Sequence, residues 1–360
     1  MTTRAPHIVI LGAGLIGLSC ADALIRGGAR VTVLETQARP LHGASFANSG
    51  MIHPSQACRW VGAMNDPEVD AAVHELAIRS RGLLIGRMGD LGLKSMQSRP
   101  AGCFQIFETE ALADHAQSRL IARGIMTERR GPESNTFNRP SLFFPEDRSG
   151  DALAYGQALA RVIEVQGGVI RTGVSRPILG RDVDGVITVA VEGRLIEADH
   201  VVVACGSQTA EALKPVGLDV PIQSIRGWAV DFDKPESVKL PIQPVMDAAT
   251  RSALTPFEDW FRLSGTWGEE SEGLLLSRWS EIMPDVMSIC TEVRQIWSGE
   301  RPVSAEGRPF IGPTQIPNLW INAGHGHMGW TLCAGSGDLM AEMILEGRVE
   351  TRFAHQNSAH

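Results

Sequence analysis

The sequence predicts an α/β protein, α+β overall, in which a domain built on a parallel βαβ unit is interleaved with a mixed-sheet domain. Three observations carry this. A glycine-rich turn, Gly12-Ala13-Gly14-Leu15-Ile16-Gly17, follows a short apolar strand and opens a helix. A second strand follows at the spacing of one strand–helix–strand unit and runs into Glu35. Further buried-looking strands and a glycine-led helix recur in the middle and at the end of the chain, with strand-rich segments between them.

Taken in order, His7 to Leu11 is an apolar run and Gly12 to Gly17 the turn after it. Leu18 to Arg26 is helical, with small Ala21 and Ala23, and Val31 and Val33 alternate with Thr32 in the strand Arg30 to Leu34. Asp66 to Asp90 reads as a fairly polar helix, Ser98 to Glu108 as a strand, and Glu110 to Arg123 as a helix ended by Gly124. Asp151 to Gln166 is a helix, apolar at Leu153, Leu159, Val162 and Ile163. Val169 and Ile170 begin a strand region that Val186 to Val191 and His200 to Ala204 continue. Ile222 to Ser277 reads as strands and turns, Glu281 to Ile296 as a helix, Leu319 to Ala323 as a last strand, and Thr331 to Leu345 as a last helix ended by Gly347. No repeat, low-complexity segment or linker interrupts the chain. The expected division is 1–65, 145–215 and 312–360 for one domain and 66–144 and 216–311 for the other, with the active site at their interface.

Composition narrows the partners. The net charge of -8 and pI of about 5.7, with no long basic run, argue against nucleic acid or an anionic membrane surface. Met1 to His7 lacks the features of a secretory signal, and no run approaches the ~20 apolar residues of a membrane span. A cytoplasmic protein is expected, with peripheral contact at the inner face of the membrane an open alternative. Cys20, Cys58, Cys103, Cys205, Cys290 and Cys333 include no CxxC pair, so reduced, buried thiols are expected.

Each glycine of the fingerprint has a physical task. Gly12 permits the tight turn, Gly14 lets backbone approach a pyrophosphate, and Gly17 lets helix and strand pack closely. Ala13, Leu15 and Ile16 complete a loop whose amides, at the start of a helix, would receive the phosphates. The Glu35 carboxylate can accept hydrogen bonds from ribose hydroxyls, and an acid there favours an unphosphorylated ribose: FAD or NAD over NADP. The unit does not itself choose between those two.

Three further segments make that choice. The small, polar loop Ala44-Ser45-Phe46-Ala47-Asn48-Ser49-Gly50-Met51 can lay amides and hydroxyls along a diphosphate and flavin. The strand Val201-Val202-Val203 ends in Ala204, Cys205 and Gly206, small enough for a ligand to approach. Gly324-His325-Gly326-His327-Met328-Gly329-Trp330-Thr331 leads into the last helix, whose N-terminus would favour negative charge on a reduced flavin ring.

Together, in order along nearly the whole chain, these segments resemble the D-amino-acid oxidase superfamily of FAD-dependent amine oxidoreductases. Ser45 to Gly50 and Gly324 to Thr331 look most like bacterial D-amino-acid dehydrogenases, while the length is nearer the glycine-oxidase type. The resemblance implies FAD as cofactor, held in a Rossmann-type domain of glutathione-reductase kind beneath a mixed-sheet substrate domain. It also implies that the backbone of Val174 lines the adenine region and that Gly206 lies on the FAD side. A fourth segment, Glu300-Arg301-Pro302 followed by Gly307-Arg308-Pro309-Phe310-Ile311-Gly312, matches the family's Arg-Pro strand and glycine turn. The family uses that arginine on the substrate carboxylate, a role that suits the planar, bidentate guanidinium of Arg301.

His53, His325 and Trp330 join Arg301 as candidates at the reacting centre. His325 and His327 alternate, yet no third ligand accompanies them, and metal binding is not expected. Arg226 is a second anion contact or a structural charge. Ser264-Gly265-Thr266-Trp267 looks like the family's segment near the substrate. Tyr155, the only tyrosine, falls in a helix of the cofactor domain, so the carboxylate site lacks the Tyr hydroxyl that several relatives use. The expected reaction is oxidative deamination of a small amino acid, by preference a D-amino acid, with hydride passing from Cα to flavin N5. The imino acid released would hydrolyse to a 2-oxo acid. Oxidation of glycine, sarcosine or a cyclic imino acid of hydroxyproline type is the nearest alternative. An FAD subunit of a larger complex, a tRNA-modifying FAD domain and an NAD-only dehydrogenase are the others. The electron acceptor (quinone, dye or oxygen) stays open.

Overall fold

The structure, a computed structural model, describes residues 4–59, 67–132, 137–235, 239–265, 271–290, 292–348 and 350–355. The strand His7–Leu11 pairs in parallel with Arg30–Leu34 on one side and His200–Val203 on the other. Val169–Arg171 and Leu319–Ala323 extend the sheet in parallel at either flank, and Phe310–Pro313 closes one edge antiparallel. These six strands come from the beginning, middle and end of the chain. Ile8, Val9, Ile10, Val201, Val202 and Val203 are wholly buried, as a central parallel strand covered on both faces requires.

Helix Leu15–Arg26 and the terminal helix Gly329–Glu346 share one face of this sheet and touch through glycine. A Cβ at Gly337 would lie 2.5 Å from the Ser19 carbonyl oxygen. The long helix Pro67–Asp90 crosses the terminal helix in the same way, and Ser80 Oγ accepts the Gly335 amide at 2.9 Å. The other face is covered by a three-stranded antiparallel sheet, Ile178–Arg181, Ile187–Val191 and Arg194–Ile196, over a second apolar cluster.

The eight-stranded sheet runs in the order Val293–Ser304, Ile222–Asp233, Trp260–Gly265, Ser252–Pro256, Val245–Asp247, Cys103–Ile106, Ser141–Phe144, Glu128–Arg130. It is mixed, because Val245–Asp247 and Cys103–Ile106 are parallel while the other pairs are antiparallel. Among the described residues, no helix is long and apolar enough to cross a membrane.

Several expected elements are corrected. No helix spans 281–296. Instead helix Glu272–Ile282 buries Leu275, Trp279 and Ile282 against the eight-stranded sheet. Those residues stand at i, i+4 and i+7, a helical signal hidden by the continuous run Leu274-Leu275-Leu276. Pro284 opens a separate short helix, Pro284–Met287, and Val293–Ser304 is a strand along Ile222–Asp233. Ile187–Val191 leaves the parallel sheet for the three-stranded one. The strand expected over 98–108 is confined to Cys103–Ile106, and the first and last helices begin at Leu15 and Gly329, each earlier than expected.

Candidate active site

A cavity of about 960 Å³ is lined from both large sheets. The six-stranded sheet and its loops contribute Gly12, Gly14, Leu15, Ile16, Glu35, Ser45, Ala47, Asn48, Ser49, Met51, Ala204 and Gly206. The eight-stranded sheet contributes Gln105, Trp228, Met246, Ser264 and Arg301, among others.

At the glycine turn, Gly12 has φ +104° and its Cβ would lie 2.5 Å from the Ala204 carbonyl oxygen, so only glycine lets the turn lie on the strand end beside it. Gly17 does not line the cavity; a Cβ there would overlap the Gly12 carbonyl, the packing task expected of it. Ala13 does not line it either. Its side chain is buried and its amide donates to Glu35 Oε2 at 2.9 Å, while Gln37 N donates to Oε1 at 2.9 Å. The Glu35 carboxylate is thereby pinned at the edge of the turn. Gly14, the N-cap of the first helix, has no side chain to cap it, and Ser45 Oγ takes the Leu15 amide at 3.0 Å. Val174 is buried in the second apolar cluster, and its amide donates to the Glu35 carbonyl at 3.2 Å rather than facing the cavity. Arg176, Pro177 and Gln208 line that end instead. No local pattern marks them, because Arg176 and Pro177 come from one segment and Gln208 from a turn some thirty residues later.

The loop 44–51 is fixed from both sides. Arg262 and Asp231 form a largely buried two-bond pair, Nε to Oδ1 at 2.7 Å and Nη2 to Oδ2 at 2.8 Å. Arg262 Nη1 also donates to the Asn48 carbonyl at 2.8 Å, which ties the loop to the eight-stranded sheet. Nothing in the local sequence pattern announced this pair. Gly50 does not line the cavity. It turns the chain at φ +73°, with a would-be Cβ 2.9 Å from the Phe257 ring.

Of the terminal segment, His325, Gly326, His327, Gly329 and Trp330 line the cavity, whereas Met328 and Thr331 do not. Met328 packs wholly in the first apolar cluster. Thr331 Oγ1 accepts the His53 amide at 3.1 Å, so it positions His53, which does line the cavity. The His53 and His327 rings meet edge-on at 6.1 Å. His325 Nε2 lies 2.8 Å from Ser336 Oγ. Burial drives His53 and His325 down to about 3, and burial followed by the Arg301 charge drives His327 down to about 4. All three are neutral at physiological pH. Trp330 packs on Tyr155, centroids 5.0 Å apart.

Arg301 sits opposite Ile225 in the long hairpin-like pair, and its guanidinium lies over Gly227. Nη1 donates to the Arg226 carbonyl at 3.4 Å and Nη2 to the Gly265 carbonyl at 3.3 Å. Burial lowers its pKa to about 10, still cationic near neutrality. Arg226 is exposed, pairs with Glu300 at 3.2 Å and does not line the cavity. Of the segment 264–267, Ser264 and Gly265 line it, and Thr266 and Trp267 lie outside the described residues.

Nine buried side-chain polar atoms lack a hydrogen-bond partner among the described residues, and six of them belong to residues lining this one cavity: His53, Gln105, Trp228, Asn322, His325 and Trp330. A buried orphan costs about 1–3 kcal/mol, so such a concentration marks a place for a polar ligand. The residues present fit FAD. The glycine turn and the helix N-terminus behind it suit phosphates, the pinned Glu35 carboxylate suits ribose hydroxyls, and the orphan donors and acceptors suit a polar ring.

Comparison with known proteins agrees with this geometry. A family model described as DAO, FAD dependent oxidoreductase, matches residues 7–343. A D-amino acid dehydrogenase of Methylobacterium radiotolerans is 28% identical over 94% of this chain and 95% of its own. Among solved structures, iminodiacetate oxidase from Chelativorans sp. BNC1 superposes with a TM-score of 0.83 at 23% identity, covering 96% of this chain and 98% of that one. Glycine oxidase from Geobacillus kaustophilus does so at 0.83 and 22%, covering 99% and 100%.

Proposed function

Because this chain belongs to the DAO family of FAD-dependent oxidoreductases, we propose that it oxidises an amino acid at Cα, a D-amino acid by preference, releasing an imino acid that hydrolyses to a 2-oxo acid. The observation that carries the reading is the cationic Arg301 guanidinium laid over Gly227, in the same cavity that the glycine fingerprint lines. A planar fork of donors there meets a carboxylate in two hydrogen bonds and fixes which way Cα faces. FAD would be held by Gly12, Gly14, Glu35, Ser45, Ala204 and Gly206 and, when bound, would supply the two-electron acceptor for the Cα–H bond.

The chain's own residues orient and insulate. Arg301 takes the carboxylate and the neutral His327 beside it adds no competing charge. His53 and Trp330 wall the reacting centre, and His325, bonded to Ser336, is a positioning residue. The orphan Gln105 Oε1 is an acceptor suited to a substrate N–H. The step needs no dedicated general base when the amine binds neutral or sheds its proton on entry. The division into residues 1–65, 145–215 and 312–360 against 66–144 and 216–311 belongs to the same proposal, although the strand Phe310–Pro313 straddles its last boundary and helix Pro67–Asp90 packs on the terminal helix.

The test is the visible spectrum of the purified protein before and after anaerobic addition of a D- and L-amino-acid panel with glycine, sarcosine and D-hydroxyproline. Bleaching by D-amino acids is the expected result, and bleaching by glycine, sarcosine or D-hydroxyproline alone would move the substrate to that class. A flavin-loaded protein that none of them bleaches would overturn the proposal. Oxygen uptake against dye or quinone reduction then identifies the acceptor.

A further inference from the structure

We infer that the substrate carries a second carboxylate, bound by Arg251 in the same cavity as Arg301, so that the enzyme selects aminodicarboxylic acids. The inference rests on the reading of Arg301 above and adds the substrate's far end. Arg251 lies in the turn between Val245–Asp247 and Ser252–Pro256 and lines the same cavity. The sheet brings the two guanidinium-bearing segments together. Arg301 reaches over Gly227 to the Gly265 carbonyl, and Gly265 lies against the next turn, its would-be Cβ 2.6 Å from Ser252 Cβ and 3.4 Å from the Arg251 carbonyl oxygen. The His327 imidazole feels the positive charge of both arginines.

Charge accounting supports an anion there. The carboxylates lining the cavity already have donors. Asp247 takes Arg278 at 2.8 and 3.1 Å and the Thr250 hydroxyl at 2.7 Å. Glu300 takes Ser224 at 2.6 Å and Arg226 at 3.2 Å, Asp70 takes Arg123 at 3.1 Å, and Glu35 takes backbone amides. Arg251, in contrast, makes no hydrogen bond or ion pair among the described residues. It also holds φ +53°, a left-handed conformation that glycine or asparagine adopts at lower cost. A cation with no partner among the described residues, held in a costly conformation and facing a ligand cavity, points to an anionic ligand. Arg119 lines the cavity from helix Glu110–Ile121 and is the alternative second cation.

The test uses the full FAD-loaded chain and isosteric pairs that differ in one charge: D-glutamate with D-glutamine, D-aspartate with D-asparagine, and iminodiacetate with its monoamide, with the L-enantiomers alongside. The acid is expected to exceed its amide in kcat/KM by roughly tenfold or more, the scale of a hydrogen bond to a charged group. R251G removes the charge and relieves the φ constraint, so it folds, and it is expected to abolish the preference; R251Q should do the same. Binding is read separately from turnover, by the perturbation of the flavin spectrum and the rise in melting temperature with glutarate against its monoamide. Glutarate should win in the wild type and lose its advantage in R251G. Amides used as well as acids, or a preference that survives R251G, would overturn the inference, and loss of the preference in R119Q instead would move the second site to Arg119. If no amino acid bleaches the flavin, the proposed reaction fails on its own, while the glutarate measurement still decides the anion site.

Discussion

Replacing Gly227 by alanine tests the role of Arg301 without touching it. A methyl there would sit on the guanidinium, with Nη1, Cζ and Nη2 all inside the 3.0 Å that real Cβ atoms respect. The obstructing atoms are the tip of a flexible side chain rather than backbone. The strand therefore keeps its pairing with Val293–Ser304, and the guanidinium moves instead. It then leaves the carbonyls of Arg226 and Gly265 that aim it, and with them the geometry of a two-bond carboxylate clamp. Hydrogen bonds to a charged group contribute about 1.5–3 kcal/mol, and 1.36 kcal/mol is tenfold in rate, so kcat/KM should fall by about 10- to 150-fold. The assay is anaerobic flavin bleaching against amino-acid concentration for wild type, G227A and R301M, with bound FAD and melting temperature measured on the same preparations. G227A should keep its flavin and its stability while losing substrate affinity. A flavin-loaded G227A within about twofold of wild type would refute the reasoning, because the clamp would then not depend on the position that Gly227 allows.

Four other perturbations follow from the geometry. Gly17→Ala sets a methyl against the Gly12 carbonyl, backbone against backbone, and should cost about 1–3 kcal/mol in urea unfolding together with much of the bound FAD. Arg262→Met leaves Asp231 buried without its partner, a loss of about 3–5 kcal/mol, and releases the Asn48 carbonyl, so FAD affinity should fall with stability; adding Asp231→Asn should recover much of the stability. Acidification should destabilise the protein between about pH 6.5 and pH 4, because His53, His325 and His327 stay neutral when folded yet take protons near 6.5 when unfolded. Asp147, raised to about 7 by burial, opposes this: its contribution is present at low pH and lost as pH rises through 7, so Asp147→Asn should steepen the acid loss by about one proton, about 1.4 kcal/mol per pH unit, in urea titrations across that range.

What was legible in the sequence was local. The strand–turn–helix at 7–26 could be read because tight turns and close helix–strand packing admit only glycine, and the buried strand at 200–203 because a strand covered on both faces must be apolar along its length. Arg301 was legible through its neighbours in a matching segment, not through any pattern of its own. The helix at 272–282 was misread because three adjacent leucines imitate a buried strand, and only the sheet beneath them decides which face is covered.

The tertiary structure alone decided the rest, since it depends on residues far apart in the chain. The Val174 amide meets the Glu35 carbonyl and the Thr331 hydroxyl meets the His53 amide, pairings that no local pattern shows. The Arg262–Asp231 pair joins loop to sheet across 214 residues, counted from Asn48 to Arg262, and Gly227 makes room for an arginine 74 positions further on in the numbering. The sequence determined that there is a nucleotide turn and a strand-borne arginine. Which carbonyls aim that arginine, which histidines are stripped of charge, and that Arg251 faces the same cavity were settled by burial and strand register, which no local window contains.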